Sequence, residues 1–212
     1  MNRSNEWLAP LTGVAFIVFA IVGFALSGEP PTADDPVEEI VAFYSDDKDS
    51  IQFGAALVGM AATLLVFFFG YLRRVLRAAE GEGGVLSAVS FAGAVIVAVG
   101  AAIDSTILFA LAEAADDVDP VAVQALQALW DNDFMPLAVG TQLVLLATGL
   151  SVVRHGALPK WLGWVAIVLG VIAVTPIGFA AFLGMAIWIL IVSILLSMRA
   201  RSGPAAPAPP AV

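Results

Sequence analysis

Six apolar stretches divide this chain, and its basic residues fall almost entirely on one side of that division. Arg3 precedes the first stretch. Arg73, Arg74 and Arg77 lie between the second and third, Arg154 and Lys160 between the fourth and fifth, and Arg199 and Arg201 after the sixth. Only Lys48 sits in an alternate loop. Basic residues are retained in the cytoplasm during insertion, so this map predicts the number of spans and their orientation together. It places the N- and C-termini on the cytoplasmic side of a bacterial plasma membrane.

A membrane helix needs about 20 apolar residues to cross roughly 30 Å of hydrocarbon. The predicted spans are 7–27, 51–72, 85–112, 134–153, 161–175 and 178–198. The last two come from one apolar run, too long for a single span, that Thr175-Pro176-Ile177-Gly178 divides with its turn formers. Two helices with a tight outer turn return Arg199 and Arg201 to the cytoplasm, whereas one kinked helix strands them outside. The expected fold is therefore all-α: a polytopic bundle of six transmembrane helices forming one domain over 1–201. A Pro/Ala-rich cytoplasmic tail, 202–212, is expected to be disordered. The N-terminus has a competing reading as a signal peptide, with Ala25-Leu26-Ser27 as the cleavage site. Its apolar run is long for that role, and Glu6 occupies what should be a basic leader.

Composition agrees. Of the residues, 60% are hydrophobic and only 13% charged, against about 25% charged in a soluble domain. The net charge is −9, and the acids concentrate in two loops, 29–49 and 113–133. No basic stripe exists to neutralise phosphates, which argues against nucleic-acid binding. Without cysteine there is no disulfide, thiol exchange or thiolate metal site. The single histidine, His155, excludes a bis-His haem within the membrane. No lysine lies inside a span, which excludes a retinal-type Schiff base.

The acidic loops carry their own helical patterns. Asp35-Pro36-Val37-Glu38 reads as a helix start, with an N-cap acid and proline in the first turn. Val37, Ile40, Val41 and Tyr44 follow at helical spacing and form one apolar stripe. Asp119-Pro120-Val121 repeats the start, with Val123, Leu126, Leu129 and Trp130 as a looser stripe. Two short amphipathic helices are expected in the extracytoplasmic loops, in the headgroup layer or against the helix ends. The unit of helix, loop helix and returning helix thus occurs twice in one orientation. A parallel duplication and shared loop chemistry account for it equally well.

Asp104 is the one ionisable residue inside a predicted span, and an intramembrane carboxylate invites a functional reading. Ser105 adjoins it, and Thr141 and Gln142 lie at a similar predicted depth in the next span. These four form the candidate polar site. In one reading Asp104 is hydrogen-bonded and locks two helices together; in the other it is a cation or proton site open to the outside. Ser90, Ala94, Ala98 and Ala102 recur every fourth residue and predict a close helix contact, with a weaker version at Ala55 and Gly59. The Asp46-Asp47-Lys48-Asp49 and Asp116-Asp117-Val118-Asp119 runs could offer oxygens to Ca²⁺ or Mg²⁺, but lack fixed ligand spacing and read as solvated turns. Gly81-Glu82-Gly83-Gly84 follows no strand and reads as a turn.

Trp7, Lys160, Trp161 and Trp164 are expected as membrane anchors, since tryptophan favours the interface and lysine reaches headgroups. The segment Leu158-Pro159-Lys160-Trp161-Leu162-Gly163-Trp164 and the end Tyr71-Leu72-Arg73-Arg74 resemble uncharacterised multi-pass membrane proteins of high-GC Gram-positive bacteria. That resemblance implies a plasma-membrane helical bundle and supplies no catalytic residues. No nucleophile–base pair, metal cluster or cofactor motif is legible. The expectation is a non-enzymatic accessory, sensing or scaffold protein, whose partners are the bilayer and a second copy or another membrane protein. The alternative is a small transporter or channel for a cation or small solute that uses Asp104.

Overall fold

The structure, a computed structural model, describes the backbone of residues 3–202 and the side chains of 7–201. The expected Pro/Ala-rich tail lies outside the described residues, apart from Ser202, which closes the last helix. The described residues are helical and contain no strand. A 3-10 segment, Arg3–Leu11, leads into α1 (Thr12–Ser27), α2 (Val37–Asp46), α3 (Lys48–Glu80) and α4 (Val85–Asp117). Then come α5 (Pro120–Trp130), α6 (Met135–His155), α7 (Lys160–Ile172) and α8 (Gly178–Ser202). The chain is an all-α membrane-type bundle with two short loop helices, α2 and α5.

The helix lengths refine the predicted spans. Both α3 and α4 have 33 residues, or about 50 Å at 1.5 Å per residue, well beyond the hydrocarbon thickness. The excess of α3 lies beyond Leu72, at its basic end, and that of α4 lies beyond Ala112, at the acidic end beside α2 and α5. Five helical runs are long and apolar enough to cross a membrane. The fifth predicted span is shorter than expected: α7 has 13 residues, about 20 Å. It stops at Ile172 because Thr175 turns back, its backbone N–H and its hydroxyl both donating to Ile172 O. α8 then returns antiparallel, and Trp188 Nε1 donates to Leu162 O at 2.9 Å. The count of six is therefore approximate: five helical runs have the length to cross, and α7 is a shorter apolar helix.

What brings the helices together is a set of reciprocal glycine contacts. A Cβ placed on Gly54 would lie 2.6 Å from Gly23 O, and one on Gly23 would lie 2.8 Å from Gly54 O. The same pairing joins Gly93 to Gly140, at 3.0 and 2.9 Å, and Gly149 to Gly163, at 2.6 and 3.0 Å. These seams bind α1 to α3, α4 to α6, and α6 to α7. Lipid gives helices no hydrophobic reason to associate, so backbone proximity and van der Waals contact must hold them. The predicted small face of α4 takes part at Ser90, Ala94 and Ala98, which are buried, while Ala102 is exposed. Ser90 Oγ and Thr148 Oγ1 add a hydrogen bond of 2.7 Å across the α4–α6 seam.

Two cores result. The larger, around Leu65, Phe68, Leu72, Leu145, Trp188 and Val192, lies within the spans. The smaller joins Ile40 and Tyr44 of α2 to Ile51, Leu108, Leu111 and Val123 at the end of the bundle that carries the acidic loops. Outside the bundle, large apolar side chains face outward, with Ile21, Phe67 and Phe179 63–74% exposed. Such a surface would be an aggregation liability in water and is ordinary against lipid.

Apart from Lys48, the described basic side chains collect at one pole. Arg199 Nη1 donates to Ala157 O at 3.0 Å, and the Arg201 guanidinium lies 4.1 Å from the centre of the Trp7 ring. The start of the chain, the α6–α7 loop and the end of α8 are therefore neighbours. Glu80 closes the same pole: its carboxylate accepts from the Ser151 hydroxyl and from Ser87 N. The three predicted tryptophan anchors belong to this pole, with Trp161 and Trp164 exposed beside Lys160. The acidic loops occupy the opposite pole.

Candidate functional site

The acidic pole is a folded cap. Gln127 of α5, wholly buried, ties it together. Its Oε1 accepts from Tyr44 Oη at 2.7 Å, and its Nε2 donates to Pro31 O at 2.7 Å and Asp131 Oδ1 at 2.9 Å. Asp131 Oδ2 accepts from Ala33 N at 2.8 Å, and Gln124 Nε2 donates to Ala33 O at 2.9 Å. The α1–α2 loop is thus stitched to α5 across more than ninety residues of sequence. Burial among apolar side chains and the negative field of Asp131 push the Tyr44 hydroxyl well above its ordinary pKa, so the phenol stays protonated and keeps donating.

The two Asp-Pro helix starts differ. Asp119 caps α5 as expected, its Oδ1 accepting from Val121 N at 2.9 Å. Asp35 does not cap α2. Its Oδ2 turns back to accept from Thr32 N at 2.7 Å and Thr32 Oγ1 at 2.9 Å, and Pro36 becomes the N-cap. Those two donors hold the Asp35 carboxyl below the usual carboxylate range. The likeness of the two segments is therefore partial: sequence spacing matches, local geometry does not.

Asp104 lines a cleft of about 640 Å³ with Thr32, Ala33, Asp34, Trp130, Asp131 and Asn132. α4 continues to Asp117, which leaves Asp104 about 20 Å along the helix from that end at 1.5 Å per residue. The α5–α6 turn descends to its level, because Gly100 meets Pro136 and Leu137 just beyond that turn. The buried Trp130 indole N–H interacts with the Asp104 carboxylate, and the buried Asp133 Oδ2 has no hydrogen-bond partner among the described residues.

The other predicted site residues are elsewhere. Gln142 lies along α6 at the level of Gly93, since Gly93 meets Gly140, Leu143 and Val144. That is roughly 16 Å from the level of Asp104 at 1.5 Å per residue, and Gln142 does not bond to it. Thr141 is buried with its hydroxyl unpartnered among the described residues. Ser105 donates to Ala101 O at 2.8 Å within its own helix. The predicted four-residue cluster is thus not assembled, and Asp104 joins the α1–α2 loop and the α5–α6 turn instead. Trp130, Asp131 and Asn132 were the missed residues. The polar run Asp131-Asn132-Asp133, just before an apolar span, was the available signal.

The two acidic runs weighed as cation ligands are split by Lys48. Its Nζ lies 3.1 Å from Asp116 Oδ2 and 3.7 Å from Glu113 Oε2, and Gln52 Nε2 donates to Glu113 Oε2 at 2.9 Å. This clamp joins the start of α3 to the end of α4. Among the described residues no three Asp, Glu or His side chains converge to hold a metal ion.

The fold and its two poles define a polytopic helical membrane protein with a structured acidic cap. No protein-family model, curated protein or solved structure matches the chain.

Proposed function

We propose that this is a non-enzymatic protein of the bacterial plasma membrane, of the sensing or accessory kind. Its acidic cap faces outward, and the cleft beside Asp104 is its receiving surface. The observation that carries this reading is a cleft open at the top and closed below. Asp34, Asp104 and Asp131 line it with the Trp130 indole. Beneath it α4 and α6 meet at Gly100–Pro136 and again at Gly93–Gly140. A solute entering the cleft finds carboxylates and an aromatic ring, which suit a small organic cation. It finds no continuation between the two helices. Both termini face the cytoplasm, where the basic pole follows the retention rule. A second copy or another membrane protein would receive the signal.

The transporter reading draws on the same carboxylate and is favoured by its place in a polar cleft. The two readings separate in one experiment. The full chain in proteoliposomes is titrated with tetramethylammonium while tryptophan fluorescence and vesicle flux are recorded. Saturable binding that Asp104→Asn abolishes, without flux, supports reception. Flux that Asp104→Asn abolishes supports transport. Absence of binding in the unsubstituted protein defeats both.

A further inference from the structure

A second groove lies on the other side of α4. Its floor is made by Ala55 and Gly59 of α3 and Ala102 and Thr106 of α4, and Glu113 and Asp117 stand at its outer mouth. Its volume is about 790 Å³. Successive helical residues are rotated by about 100°, so 102, 106, 109 and 113 share a face roughly opposite Asp104. The groove is therefore separate from the cleft. We propose that it holds a hydrocarbon chain of a phospholipid whose headgroup carries an ammonium.

The floor is built to be filled from outside. A Cβ placed on Gly59 would meet nothing within 4 Å, whereas one on Gly54, five residues earlier, would strike Gly23 O at 2.6 Å. Thr106 Oγ1 donates to Ala102 O at 2.7 Å and Ser105 Oγ to Ala101 O at 2.8 Å. Both hydroxyls are thus spent within α4, and the groove presents an apolar surface. Phe109, about half exposed, lines it as well. These positions belong to the outer half of the α3 and α4 spans, where the available filler is an acyl chain rather than water.

The mouth selects the headgroup by charge. Glu113 lies seven residues above Thr106, or roughly 10 Å along the helix, which is the headgroup layer. Glu113, Asp116 and Asp117 place three carboxylates there against the single Lys48, which already bridges two of them. An anionic headgroup meets net repulsion within a Debye length. An ammonium is attracted, and Asp117 is exposed to receive it.

The test uses the full chain extracted from vesicles of equimolar phosphatidylethanolamine and phosphatidylglycerol, with retained lipid counted by native mass spectrometry. Phosphatidylethanolamine is expected to be retained over phosphatidylglycerol by about 5-fold, the effect of one charge near a membrane surface. Gly59→Leu removes the retained lipid while helical content holds, because leucine favours a helix more than glycine and nothing obstructs its Cβ. Asp117→Lys reverses the headgroup preference without emptying the groove. Equal retention of the two lipids, undiminished retention in Gly59→Leu, or a disulfide between two copies of Gly59→Cys would each overturn the proposal, the last by showing a second copy in the groove.

Discussion

Tyr44 and Gln127, 83 residues apart in sequence, meet in a fully buried hydrogen bond of 2.7 Å between two short helices that cap the acidic pole. Tyr44→Phe removes the donor and leaves Gln127 Oε1 buried without one. The expected loss is about 1–3 kcal/mol of cap stability, the penalty for an unsatisfied buried acceptor. Thermal unfolding followed by near-UV circular dichroism, with proteolysis at the α1–α2 loop, measures it. An unchanged melting profile would show that the network does not hold the cap.

The same residue predicts alkaline behaviour. The folded-state pKa of Tyr44 is raised above the ordinary 10.0, so the native state holds its proton where the unfolded state releases it. Stability is then fully present below pH 10 and is lost as pH rises beyond it. In a Tyr71→Phe background, phenolate absorbance from Tyr44 is expected to appear only with opening of the cap. Its appearance without unfolding would contradict this.

Glu80 should matter at the basic pole. Glu80→Ala leaves the buried Ser151 hydroxyl without its acceptor and the first turn of α4 without the carboxylate that meets Ser87 N. The expected destabilisation is about 1–3 kcal/mol by the same reasoning. Unfolding in mixed detergent micelles provides the measurement, with Glu82→Ala as the control.

The glycine seams should be far less tolerant than the open glycine. A Cβ on Gly93 would come 2.7 Å from Val144 N, so Gly93→Leu must force α4 and α6 apart. Overpacking of that kind costs about 1–3 kcal/mol or more. Gly59→Leu, with open space, should leave stability within about 0.5 kcal/mol. Equal effects of the two substitutions would show that the close approaches do not govern assembly.

The lack of cysteine makes topology directly testable. In intact cells, Asn132→Cys should react with an impermeant maleimide and Glu82→Cys only after permeabilisation. Ile177→Cys, at the exposed apolar turn between α7 and α8, decides how far the short α7 reaches. Labelling from outside places the turn at the outer surface; protection in both conditions keeps it within lipid. Reversed labelling of Asn132→Cys and Glu82→Cys would invert the proposed orientation.

Much of this architecture was legible in the chain. Apolar length and the placement of arginines gave the helical bundle and its two poles, because a bilayer imposes one-dimensional rules that act on each segment separately. The stripes through Ile40 and Tyr44, and through Val123, revealed α2 and α5 for the same reason: helical periodicity is local. Two features of helix ends were harder to read. α3 and α4 run past the membrane, since no charge rule limits a helix that continues in water, and α7 ends early, since the turn at Thr175 is set by its hydrogen bonds.

The candidate site depended on relationships that no segment contains. Asp104 and Gln142 looked level when each was counted from its own span end. The Gly100–Pro136 and Gly93–Gly140 contacts fix a register in which Asp104 meets the α5–α6 turn instead. Likewise, Gly54 and Gly59 occupy the same helix, yet one closes a seam and the other opens a groove. By itself the sequence determined helices, poles and the presence of a carboxylate, Asp104, within an apolar segment. The tertiary structure alone decided which backbones touch, because register between packed helices is set by the shapes of both partners and not by the pattern of either.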